Sequence, residues 1–198
     1  MGIVIAVLAM NQFQINSLHK MMLASGMSMN AAQVQSSAQV QGASAGPTAR
    51  EAAAQILPRG IPALYGEELG VSFDSAAAAI AVLAPLEQDT REVKLAGANL
   101  ERYIAIGAQA ACEFCCGAQT MVFPNGAKAC GCEHSAAMRG TAAYLLENYG
   151  DKMSDGEILT EVNKWKAAFF PGPTVEKYMA ANGQGGAAGG LQTQVGGC

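Results

Sequence analysis

Cys112, Cys115, Cys116, Cys130, Cys132 and His134 follow one another with the spacing C-x2-C-C-x13-C-x-C-x-H, and of the six cysteines only Cys198 lies elsewhere. Such concentration describes one site, because a disulfide framework spreads its cysteines through the fold. Thiolate and imidazole are soft to borderline ligands, so the chemistry on offer is metal binding or thiol redox. Zinc takes four such ligands in a tetrahedron, and a set of four thiolates, or of three thiolates and the imidazole, leaves two groups over. An iron-sulfur cluster would take four of the cysteines or a mixed cysteine and histidine set. Copper(I) suits a dense thiolate group, and a dithiol/disulfide pair beside a structural metal would use the surplus differently. Zinc in a closed site is the leading reading, a redox metal the second and disulfides without metal the third. The adjacent pair Cys115 and Cys116 argues against disulfides alone, since neighbouring residues bond each other only with strain. Cys198 reads as a free or intermolecular thiol.

The elements that must position these groups are mainly helical. A helix over Asn99 to Cys116 would bring Cys112, Cys115 and Cys116 to one face at its end, with Gly117 as a left-handed cap. Met121 to Phe123, the turn Pro124-Asn125-Gly126 and Ala127 to Cys130 have the pattern of a short β-hairpin. Cys130 and Cys132 then share one side of an extended stretch, and His134 opens the next helix, Glu133 to Asn148. A cysteine pair, a hairpin and ligands at a helix N-terminus resemble, in layout, the treble-clef arrangement of structural zinc sites. A further helix, Ser154 to Phe170, has the inward stripe Ile158, Val162, Trp165 and Phe169, which makes the tryptophan a core residue. Thr48 with Glu51, and Ser154 with Glu157, have capping-box spacing, and Asp74 is placed to cap the alanine-rich stretch that Pro85 ends. Leu57 to Asp74 reads as an ordered irregular lid carrying Ile61, Leu64, Tyr65, Leu69, Val71 and Phe73.

The chain of 198 residues, 51% hydrophobic but only 6% aromatic, is rich in small apolar side chains, which favours packed helices over a thick β core. The expected fold is a small, mainly α domain over 47–180 with that one hairpin. Residues 1–25 read as an apolar to amphipathic helix, with Ile15, Leu18 and Met22 at helical spacing after the run Gly2 to Met10. That run is short of the roughly 20 apolar residues needed to cross a bilayer, and no cationic segment precedes it as in a secretory signal. A membrane or assembly anchor over 2–24 is therefore expected, and self-association through it is the partner it implies. Residues 26–46 lack charge and aromatic side chains and read as a linker, and the Gly-rich residues 181–198 as a tail outside the packed domain. With a net charge of -4 and scattered Lys and Arg, nucleic acid is excluded as a partner. No C-x-x-C-H occurs for haem, and no carboxylate pair or Ser-His-Asp pattern stands out, so a binding protein is favoured over an enzyme.

From Pro58 to Pro173 the chain resembles a group of small, uncharacterised prokaryotic proteins, many with a hydrophobic N-terminal anchor. The resemblance rests on YGEELGVSFD (Tyr65 to Asp74), CEFCCG (Cys112 to Gly117), ACGCEHSAAMRG (Ala129 to Gly140) and KWKAAFFPGP (Lys164 to Pro173). It implies one continuous domain in an anchored location and names no reaction. A membrane-anchored or cell-surface domain that faces outward is the location expected. The function expected is a metal-binding domain tethered by its N-terminal helix. A structural subunit assembled through that helix, and a thiol redox or metal-carrier protein, are the alternatives.

Overall fold

The computed structural model describes residues 47–198, apart from 89, 91–93, 112, 186–187 and 197–198. The anchor expected over 2–24, the linker over 26–46, Cys112 and Cys198 lie outside the described residues.

Seven α-helices are described: α1 (Ala49–Ile56), α2 (Gly66–Leu69), α3 (Ala76–Leu83), α4 (Gly97–Gln109), α5 (Glu133–Tyr149), α6 (Asp155–Phe169) and α7 (Pro171–Ala181). Both expected capping boxes form. Glu51 accepts from the Thr48 amide at 2.8 Å and Glu157 from the Ser154 amide at 2.7 Å, while each hydroxyl accepts in return from the backbone three residues on.

Helix α5 is the axis of the domain. Every residue from His134 to Leu146 is buried, so neighbours enclose the helix on all sides, and its polar members His134, Ser135, Arg139 and Thr141 are buried with the rest. It packs on α3, α4, α6 and the 3-10 turn Ala84–Leu86. Gly140 sets the closest approach: a Cβ there would stand 1.9 Å from the Leu83 carbonyl oxygen. On α6 the stripe Ile158, Val162, Trp165 and Phe169 is fully buried, at roughly 1.5–3 kcal/mol for each aliphatic or phenyl side chain. The Trp165 indole donates to the Tyr65 hydroxyl at 2.8 Å, which donates to Glu161 at 3.1 Å, so both buried polar tips are satisfied.

The lid is ordered. Tyr65, Val71 and Phe73 are buried, whereas Ile61 and Leu64 stay exposed. Asp74 does not cap α3. It lies in a 3-10 turn and accepts from the Gly60 amide at 2.9 Å, because Ser72 already supplies the local cap by accepting from the Asp74 amide. Gly66–Leu86 has the length and apolar composition of a membrane span. That is a weak indication of a membrane span, because it is broken at Gly70, whose φ is 64°, and buries Val71, Phe73, Ala76, Ala79, Ile80 and Leu83 in the core.

Three further expectations are corrected. Helix α4 stops at Gln109, short of the cysteines, because the Met121 amide takes the Gly107 carbonyl at 2.9 Å, an acceptor that a further helical turn would need. No β-strand occurs among the described residues. The hairpin reduces to one antiparallel bridge, Val122 with Lys128, closed by Phe123 N–H to Ala127 O at 2.8 Å. Pro124 prefers the second position of a turn, so the turn runs Phe123–Gly126 and the Asn-Gly pair falls one place late for a two-residue hairpin. Finally, the tail returns to the domain. Gly172 N–H donates to Gln192 O at 2.9 Å and Val195 N–H to Phe169 O at 2.8 Å, and Ala188 is buried in a small satellite core with Ala52, Ala53, Val175 and Met179.

Candidate metal centre

The cysteine loop is shaped by its neighbours before the thiols are considered. Gly107 lets α4 meet Val122, since a Cβ there would fall 2.5 Å from the valine Cγ2. Ala129 N–H then donates to Met121 O at 3.0 Å, which returns the chain towards α5. On the other side of the loop, residues 113–116 form a turn followed by Gly117 at φ 69°. Glu113 pins that turn to α6 and α7 through Lys166 at 3.5 Å and Lys177 at 2.8 Å. The Lys177 hydrogen bond holds the Glu113 carboxyl below its usual range. Phe114 packs on Phe170 at 5.8 Å beneath both ammonium groups.

The result is a group of three thiols. The sulfurs of Cys116, Cys130 and Cys132 all lie within 4.8 Å of one another. Sulfurs sharing one tetrahedral zinc at about 2.3 Å stand about 3.8 Å apart, so the trio fits a single ion after small side-chain adjustment. Cys130 is buried, Cys132 half-buried and Cys116 exposed. Cys132 is also the N-cap of α5, its sulfur accepting from the Ser135 amide at 3.4 Å, where the helix dipole favours a thiolate. Burial, and then hydrogen bonding with Cys116, push the Cys130 thiol up to about 11, against the opposing backbone N–H of Cys132. A cation held by the trio reverses that preference, because it takes the place of the protons.

Behind the thiols lies a buried ion pair. Arg139 donates from Nη1 to the Cys130 carbonyl at 2.9 Å and to Ser135 Oγ at 2.7 Å. Its Nε and Nη2 both donate to one oxygen of Glu87, the former at 2.8 Å. Lys128 stands 3.8 Å from the second Glu87 oxygen. Sequence reasoning missed Arg139, yet the signal was present as the only charge between Glu133 and Glu147 in an alanine-rich helix. A buried arginine needs a carboxylate partner.

Of the residues singled out in the sequence, the structure joins Cys116, Cys130 and Cys132. Cys115 is exposed in the same turn and outside the trio. His134 is fully buried with Nε2 2.7 Å from the Val195 carbonyl, between the rings of Phe169 at 5.5 Å and Phe170 at 4.9 Å. The tail thus engages its Nε2, and His134 lies outside the trio.

Comparison with protein-family models, curated proteins and solved structures yields no match. The chemistry rests on the site itself. Three convergent sulfurs of graded exposure, next to a helix N-terminus, are close enough together to hold a metal ion, and the Arg139 network lies where outer contacts to such ligands would be made.

Proposed function

We propose that this domain binds one soft metal ion through the thiolates of Cys116, Cys130 and Cys132, with zinc the first candidate and copper(I) the second. The observation that carries the reading is the convergence of three sulfurs within 4.8 Å. A 4Fe–4S cluster takes one cysteine per iron atom and a 2Fe–2S cluster at most two, so three sulfurs mutually close enough to share one ion favour a single ion over a cluster. A fourth ligand for zinc would come from Cys112 of the same motif, or from water. The apolar composition of residues 2–24 supports a tethered domain.

The test is elemental analysis and a visible spectrum of the full chain, purified under reducing conditions without added metal and again after dialysis against zinc. About one equivalent of zinc or copper in a colourless protein is the expected result. Cys116→Ser, Cys130→Ser and Cys132→Ser should each lose it, with the circular dichroism of the helices retained. Failure to retain any metal, or full retention by Cys130→Ser, would sink the proposal.

A further inference from the structure

The scaffold positions the thiols by contacts of its own. Arg139 holds the Cys130 carbonyl, the Ser135 amide holds the Cys132 sulfur, Gly107 and Met121 clasp the loop, and Glu113 ties the remaining turn to α6 and α7. An ion is therefore not needed to staple this loop, unlike in small zinc domains whose fold is bought with metal binding. Exposure also rises in one direction across the site, from buried Cys130 through half-buried Cys132 to exposed Cys116, with exposed Cys115 next along the chain. The described residues bring together three sulfurs, and the buried His134 ring is engaged by Val195.

Resting on the metal reading above, we infer that the bound ion is exchangeable and is passed by direct ligand exchange, across the edge formed by Cys116 and Cys115, to an acceptor bearing thiols. In the first step an acceptor thiol binds the ion and gives up its proton. The bond from the ion to Cys116 Sγ breaks, and the released thiolate takes up a proton. Cys132 and then Cys130 follow in order of depth. Three acceptor thiols replace three protein thiolates, three protons move the other way, and the ion keeps its oxidation state. Cys115 is the thiol that shelters the ion in transit, since it lies at the exposed end of this gradient.

The experiment loads the full chain with one equivalent of zinc and follows its transfer to dithiothreitol by stopped flow. Transfer should accelerate in proportion to dithiol concentration, and Cys115→Ser should slow it roughly tenfold, because thiol exchange rates follow access and thiolate character. Zinc stoichiometry and affinity of that variant should be unchanged. A rate independent of dithiol concentration, or an unaltered rate in Cys115→Ser, overturns the exchange route while leaving metal binding intact. If zinc and copper(I) both fail to load, the failure appears before any acceptor is added and removes both proposals together.

Discussion

The guanidinium of Arg139 donates to the main-chain carbonyl of Cys130 from a position nine residues further along, with both groups buried. This bond links the charge inside α5 to the deepest thiol of the site.

Removing Arg139 alone strands the Glu87 carboxylate in the interior with Lys128, 3.8 Å away, as its remaining ion-pair partner among the described residues. Arg139→Met is expected to cost about 3–5 kcal/mol, whereas Arg139→Met with Glu87→Met should recover most of that. Urea denaturation gives the stabilities. The double variant should still bind zinc more weakly in a chelator competition, since the Cys130 carbonyl has lost its donor. Equal affinity in the double variant and the natural protein would remove Arg139 from the site.

Gly140→Ala drives a methyl group into the Leu83 carbonyl and close to the Glu87 amide. Backbone cannot rotate aside, so α5 must separate from α3, at an expected loss of about 3 kcal/mol. A urea midpoint within error of the natural protein would show that the two helices do not approach as described.

Both capping carboxyls, Glu51 and Glu157, are held below their ordinary 4.5 by the backbone N–H of the residue they cap. A depressed carboxyl contributes stability above its unfolded value and loses it as pH falls through the folded one. Glu51→Gln with Glu157→Gln should therefore flatten the stability profile below about pH 4.5 and change it little at neutral pH. Urea midpoints from neutral to acid would show this; an unchanged acid slope would mean that neither cap titrates with folding.

Deleting residues 188–198 should expose His134 to diethyl pyrocarbonate, from which the intact chain protects it, while bound zinc is retained. Peptide mass mapping separates His134 from His19. Modification of His134 in the intact chain would contradict its cover by the tail.

Features fixed by spacing along a single helix were legible in the sequence, and those set by turn geometry or long-range contacts were not. Ser154 and Glu157 cap α6, and Ile158, Val162, Trp165 and Phe169 face inward, because spacing along one helix decides both. The end of α4 was misjudged because it depends on Met121, fourteen residues from the Gly107 carbonyl it occupies. The grouping of Cys116, Cys130 and Cys132 followed from concentration of thiols, but the exclusion of Cys115 depends on the shape of a turn. His134 looked like a ligand by its distance from Cys132 in sequence. Its partner, Val195, lies 61 residues away in a segment whose composition gives no sign of packing.

Helix α1 buries only Ala52 and Ala53, and its satellite core of small residues is slight beside the one around α5. Tension entering the domain through residue 48 would meet that contact first. Mechanically α1 is a shear pin, which peels from α7 at low force and leaves the thiol-bearing loop, fastened from the other side by Arg139, unloaded.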